Sequence, residues 1–467
     1  MHRLGRAMMI EVVDTILCEM LVASVVFMLI GGIDDLLIDA LFIFSCLFRR
    51  RKASAPFDSA SIVYDARFAI FVPAWDESAV ITEMLRAMLA QWQSQPYRIY
   101  VGTYPNDLAT IAAVAEVAQS DVRVRLVVGP HPGPTTKADC LNRLWEALER
   151  DVAAEGRPFT AVVLHDAEDV VHPRELAVYA AWIERYGAVQ IPVVPLRQPG
   201  SVLVSGHYLD EFAQSHGLAL PVRQMLGASL PLAGVGCAIR CDVLRRIAAA
   251  RGDPFDPASL TEDYELGLTL RAMGERGIFV RSAETPGGPP VAVRAYFPAS
   301  VTASVRQKAR WMAGIALAGW DRTGWGRPWD LCDHWMRMRD RRATLAMPVL
   351  AIAYATLLFW GFTYLLHAAT GIPQPPPAPW LETGAAINLA LLAWRLVVRG
   401  VLVARLHGWR EGLWAVPRML VANYIGLLAA RRALWIYLRL LAGGAVHWDK
   451  TAHQFPTAAM RAPLVSA

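Results

Sequence analysis

The run from Ile10 to Ile30 is apolar and long enough to cross a bilayer, which takes ~20 residues, and four more apolar stretches follow it. Leu36–Phe48, about thirteen residues, is too short to cross alone and is expected to be interfacial or re-entrant. Ala346–Leu366 reads as a second span, and Ala385–Val401, interrupted by Arg395 and Arg399, as a third. Val416–Leu441 carries Arg418, Arg431, Arg432 and Arg439. Each charge at bilayer depth costs ~2.5–3.5 kcal/mol on insertion scales. That stretch is therefore expected in the interface or against a soluble domain. The first run contains Asp14 and Glu19 and lacks a clean cleavage site, which argues against a signal peptide. Arg49-Arg50-Arg51-Lys52 are expected to stay cytoplasmic, and so is whatever follows them.

Composition agrees with a membrane protein. The chain is 55% hydrophobic and 19% charged, against ~45–50% and ~25% in soluble domains. Much of its basicity lies in arginines beside apolar stretches, which suits membrane lipids and not a nucleic-acid groove. Six scattered cysteines without a CxxC pair argue against a disulfide framework or a zinc site and fit a reducing compartment.

Four regions follow: residues 1–52, N-terminal transmembrane and interfacial helices; 53–343, a soluble domain; 344–445, C-terminal transmembrane and interfacial helices; 446–467, a polar tail. Within 53–343, short apolar runs alternate with helical patterns. The runs are Phe68–Val72, Arg98–Gly102, Val122–Val128, Thr160–Leu164, Val189–Val194 and Gly234–Ile239. That alternation predicts an α/β fold with a mostly parallel sheet.

Four polar clusters sit at strand ends or near the membrane. Pro73-Ala-Trp-Asp76-Glu77 follows the first strand, where it can frame a nucleoside or simply cap a loop. His165-Asp166-Ala-Glu168-Asp169 follows the fourth. Asp166 and Glu168, at i and i+2, can both turn toward one Mg²⁺ or Mn²⁺, whose hard-ligand chemistry suits carboxylates. A solvated acidic turn is the plainer reading. Thr261-Glu262-Asp263 opens a helical pattern. It fits an N-cap with acids in the first turn, or a general base at Asp263. Gln307 and Trp311 share a helix face with Arg310 adjacent. Such a set can hold a diphosphate and a sugar ring, or snorkel at the interface.

Taken in order, these motifs resemble family 2 glycosyltransferases of the cellulose-synthase and hyaluronan-synthase type over roughly residues 65–370. Lys137-Ala-Asp-Cys-Leu-Asn142 is similar to the family's nucleotide-contacting stretch. Val101–Asp107, Asp166–Asp169 and Trp448–His453 resemble the bacteriophage adsorption protein B group more closely still. The resemblance implies a GT-A-like domain flanked by transmembrane and interfacial helices. It implies that Pro73, Asp76, Glu77, Asp107, Lys137 and Asn142 contact the nucleotide, with Asp107 at the uracil or ribose. It also implies Mg²⁺ or Mn²⁺ on Asp166 and Glu168, catalysis at Asp263 with Glu262 beside it, and diphosphate and acceptor binding at Gln307, Arg310 and Trp311. Two departures stand out. The family's acidic pair after the second strand is Asn106-Asp107 here, and Glu168 replaces an Asp, leaving Asp169 as a competing ligand.

The implied function is inverting transfer from a nucleotide-sugar, UDP-linked, to a growing polysaccharide at a bacterial inner membrane. The chain would be multi-pass with its catalytic domain cytosolic. Periplasmic or outer-membrane export partners would follow from secretion of the polymer. Transfer onto a lipid-linked acceptor and a non-catalytic receptor or assembly subunit are the alternatives. Cyclic-dinucleotide control is not expected within this sequence.

Overall fold

The computed structural model describes residues 2–49, 66–92, 96–283, 285, 287–444 and 453–456. Arg50–Lys52 of the basic cluster and most of the 446–467 tail lie outside the described residues.

Among the described residues nine strands form: β1 Phe68–Pro73, β2 Tyr97–Thr103, β3 Val124–Val128, β4 Ala161–Leu164, β5 Ala188–Gln190, β6 Val193–Leu196, β7 Cys237–Arg240, β8 Gly277–Phe279 and β9 Val293–Tyr296. Seven make one sheet in the order β3-β2-β1-β4-β7-β5-β8, while β6 and β9 pair separately. β1 is buried throughout, and its side chains alternate between two faces. Phe68, Ile70 and Val72 enter one apolar core with Tyr179, whereas Ala69 and Phe71 enter another with Tyr100, Leu141 and Leu148. Both faces are therefore covered, as parallel sheets require.

Most neighbours are parallel, but β7 runs antiparallel to both β4 and β5. This pairing sets Cys237 opposite Leu164, and Gly236 N–H donates to the Leu164 carbonyl at 3.0 Å. The loop entering β7 is thereby pinned beside the end of β4. The single strand expected over Val189–Val194 is two strands in different sheets. Pro192, lying between them, has no N–H to continue the first ladder.

Among the described residues, four helices are long and apolar enough to cross a membrane: Met8–Phe48, Ala343–Thr370, Pro379–His407 and Trp409–Leu441. The two N-terminal elements expected from sequence are one continuous helix, His2–Arg49. Its acidic pair does not break it, because Asp34 meets Arg342 at 2.6 Å and Asp35 meets Arg339 at 2.9 Å. Two arginines of a later helix are also partnered. Arg395 reaches Asp39 at 3.1 Å, and Arg399 donates twice to Gln214 Oε1 at 2.9 and 3.1 Å. Trp409–Leu441 packs along the helix Val301–Met312 of the soluble domain.

Candidate active site

A cavity of about 400 Å³ opens beside the end of β4. Lys137, Asp166, Glu168, Glu262 and Asp263 line it. Gln307, Arg310 and Trp311 line it from the helix before the membrane segments, and His453 from the tail. Carboxylates nearly one hundred residues apart thus face one space.

The turn after β4 is held from below by His165, which is fully buried. Its Nδ1 lies 2.9 Å from Asp169 and its Nε2 2.9 Å from Glu175, which accepts from the Tyr179 hydroxyl at 2.7 Å. Burial opposes a charged ring, but the Glu175 and Asp169 carboxylates push its pKa up to about 10. Asp169 Oδ2 also accepts from the Asp166 backbone N–H at 3.0 Å. Asp169, which also lines the cavity, thereby shapes the turn through its Oδ2. Asp166 pairs with the Lys137 ammonium at 2.5 Å, and the same charge acts on Glu262 and Asp263. Burial and neighbouring acids push Glu168 up to about 8, against the pull of His453.

Glu262 and Asp263 begin the helix Glu262–Ala272. Thr261 occupies the cap position, but its hydroxyl makes no capping bond, so the capping expected of it is not made. Burial raises the Asp263 carboxyl, with Lys137 opposing, and burial together with Asp263 pushes Glu262 up to about 7. Gly234, at φ +73, passes so close that a Cβ there would lie 2.4 Å from Asp263 Oδ2. Gln190 fixes this loop by donating to the Val235 and Gly236 carbonyls at 2.9 and 3.0 Å and accepting from Ala233 N–H at 2.9 Å. Neither residue stands out in the sequence. Gly234→Ala should displace the carboxylate and lower kcat by about a hundredfold, the cost of an ångström-scale misplacement. Steady-state rates beside a melting curve will separate this from unfolding.

Gln307, Arg310 and Trp311 lie on Val301–Met312, whose cap Ser300 accepts from Ala303 N–H at 3.3 Å. Trp311 is turned inward, edge-on to Tyr208 and Phe297 at centroid distances of 6.3 and 6.4 Å. Gln307 Oε1, Arg310 Nε and Thr261 Oγ1 are shut off from solvent and have no hydrogen-bond partner among the described residues. Buried polar atoms of this kind call for a ligand or water.

Other expected nucleotide contacts lie elsewhere. Asn142 does not line the cavity. Its amide donates to the Phe255 carbonyl at 2.8 Å and accepts from Phe255 N–H at 3.0 Å. Asn142→Ala should cost about 1–3 kcal/mol of stability through stranded backbone groups, with nucleotide affinity unchanged; chemical denaturation and a binding titration will test both parts. Asp107 caps its own helix through Thr110 N–H at 3.2 Å and accepts from Asp76 N–H at 2.6 Å, which leaves it outside the cavity lining. Pro73 ends β1 in the core, and Asp76 is exposed at φ 54. Glu77 is buried and meets His453 Nδ1 at 2.8 Å. His453 closes the Trp448–His453 stretch, and the sequence assigns it no role. Its only signal is a histidine in a polar, aromatic tail.

Known proteins resemble this chain in sequence and in fold. The chain is 34% identical over 469 residues to bacteriophage adsorption protein B of Escherichia coli (strain K12) and to bacteriophage N4 adsorption protein B of Escherichia coli O157:H7. These alignments cover 92% of this chain but 61% of each relative's length. A mannosyltransferase from Pyrobaculum calidifontis, solved with GDP-Man and Mn²⁺, shares the fold at TM-score 0.50 and 18% identity, covering 88% of this chain and 99% of its own. The model of glycosyltransferase-like family 2 matches residues 66–314, more than half of the chain and the segment that holds the strands and most of the cavity, and the protein belongs to that family.

Proposed function

We propose that the chain transfers a sugar from a nucleotide-sugar, UDP-linked, to the end of a growing polysaccharide at the cytosolic face of a bacterial inner membrane. One observation carries this reading: acids from β4 and the Glu262 helix meet Gln307, Arg310 and Trp311 in one cavity. The cavity also reaches Arg339 and Asp340, immediately before the long apolar helix Ala343–Thr370. An acceptor held there lies next to the membrane helices. The fold shared with an enzyme captured with GDP-Man and Mn²⁺ supports a divalent cation here as well.

Asp263 takes the proton from the acceptor hydroxyl, and that oxygen attacks the anomeric carbon as the bond to the diphosphate breaks. Attack from the opposite face inverts the configuration. Arg310 and Lys137 supply positive charge toward the leaving diphosphate, and Trp311 supports the acceptor sugar. The carboxylates of the β4 turn fit a hard divalent cation, which Asp166, half-buried, and Glu168, buried, would hold. Bound there, it would stabilise charge developing on the diphosphate.

The test is to supply purified chain in micelles with UDP-sugars and measure nucleotide release and product length. Release that EDTA abolishes and Mn²⁺ or Mg²⁺ restores, with a long product, is the expected result. A single-addition product would replace polymerisation by transfer to a lipid-linked acceptor. Absence of release, with full biological activity retained by Asp263→Asn, would leave a receptor or assembly role.

A further inference from the structure

We infer that the helix Trp409–Leu441 does not cross the bilayer but lies along its surface, on the side of the catalytic cavity, and binds anionic lipid headgroups there. The placement stands apart from the sugar-transfer reading, since it needs only the helix and its neighbours.

Length and hydropathy allow this helix to cross a membrane, but its partners hold it elsewhere. Near its start, Glu411 meets Arg197 at 3.0 Å and Arg418 donates to the Val202 carbonyl at 2.8 Å. Farther along, Ala429 and Ala433 are fully buried against Ala309 and Ala313. Near its end, the Tyr437 hydroxyl donates to Asp321 at 2.5 Å. These partners all belong to the soluble domain, and Arg322, beside Asp321, pairs with Glu265 of the helix Glu262–Ala272 at 2.9 Å. Residues 411 and 437 lie about 39 Å apart along a helix rising ~1.5 Å per residue. That exceeds the ~30 Å hydrocarbon core. Crossing the core would carry one end of the helix away from the soluble domain, yet both ends touch it.

The side chains divide accordingly. Gly412, Ala415, Arg418, Ile425, Ala429 and Ala433 make the buried stripe. Leu413, Leu420, Tyr424, Leu434, Trp435 and Leu438 are exposed on the side turned away from it. Arg431, Arg432 and Arg439 are exposed as well, and the Arg439 guanidinium sits 5.1 Å over the Trp435 ring. An apolar face interrupted by arginines suits the headgroup boundary, where apolar side chains dip toward the acyl chains and guanidinium groups snorkel to phosphates. Asn423 donates to the Tyr354 hydroxyl of the helix Ala343–Thr370 at 2.9 Å, so the outward face continues the lipid-facing surface of that span. Arginines this close together favour an anionic headgroup over a zwitterionic one. Ala309 adjoins Arg310, so headgroups that hold this helix also steady the cavity wall carrying Gln307, Arg310 and Trp311.

The full chain in sealed vesicles tests the placement. Arg410→Cys, Ala442→Cys and, in the loop between two long helices, Pro377→Cys are treated with a membrane-impermeant maleimide, and the labelled peptides are read by mass spectrometry. Arg410→Cys and Ala442→Cys should label from one face of the membrane and Pro377→Cys from the other. Labelling at 410 and 442 from opposite faces overturns the placement. Electron paramagnetic resonance of spin-labelled lipids tests the partner. Phosphatidylglycerol should be held in preference to phosphatidylcholine. Arg431→Gln/Arg439→Gln should reduce that preference by at least about fivefold, the contribution of one cation near an anionic surface, with the melting temperature unchanged. An equal preference in wild type and variant overturns lipid binding by this helix. Neither measurement needs catalysis. Both expected results in a chain that releases no nucleotide would sink the sugar-transfer reading and spare this inference; sugar transfer with labelling at 410 and 442 from opposite faces would do the reverse.

Discussion

Asp263→Asn is expected to slow sugar transfer by about 10²–10⁴-fold, the range for losing a general base, while donor binding is retained. The substitution keeps the shape of the side chain and the acceptance from Tyr264 N–H, which is 2.8 Å long. It removes only the capacity to take a proton. In wild type, burial raises the Asp263 carboxyl, and Glu262 beside it titrates at about 7. As pH falls Asp263 binds a proton and the base is lost, so the acidic limb of kcat/KM should lie above the ordinary carboxylate range instead of near pH 4. The stability effect has the opposite sign. A carboxyl whose folded pKa exceeds its unfolded value, about 3.9 for Asp, contributes stability below that value and loses it as pH rises through the folded one. Asp263→Asn should therefore melt at or above the wild-type temperature at pH 8. A rate loss matched by a lower Tm would mark Asp263 as a structural residue.

The part of this site that the sequence disclosed is the part encoded in short spacing. Asp166 and Glu168 are two residues apart after an apolar strand, and Gln307, Arg310 and Trp311 lie within little more than one helical turn. β1 and β4 were legible because strands buried on both faces are continuously apolar. β8 has only three residues and β9 carries Arg294 among its four, so neither gives a continuous apolar run. The placement of Asn142 and Asp107 outside the cavity lining was not legible, for a different reason. Their hydrogen-bond partners at Phe255 and Asp76 are fixed by tertiary contacts that spacing does not report. His453 is the extreme case. Almost three hundred residues and three long apolar helices separate it from Glu168, so nothing local could pair them.

Those long helices raise the question of what ties them to the catalytic domain, and Arg418 gives the answer with the largest stability effect. Its side chain is fully buried, although it sits on the apolar helix Trp409–Leu441. It donates to the Val202 carbonyl at 2.8 Å, meets Asp210 of the soluble domain at 3.3 Å and pairs with Glu411 on its own helix. Gly206 makes room for it, since a Cβ there would lie 2.4 Å from Arg418 Nε. Arginine at this position therefore faces protein acceptors, which is how the helix tolerates it. Arg418→Met removes the cation and strands Asp210, whose carboxyl burial already pushes up to about 6 against the pull of Arg418. Breaking a buried pair by deleting one partner costs about 3–5 kcal/mol, and a loss of that size is expected in thermal unfolding or protease resistance in micelles. Adding Asp210→Asn should recover part of it by removing the stranded charge. The catalytic helix Val301–Met312 packs along the same helix, so Arg418→Met should also loosen Gln307 and Arg310 and raise KM for the donor. A variant that loses stability but keeps KM would confine Arg418 to anchoring the helix; one that loses neither would show that this contact does not couple the membrane segment to the site.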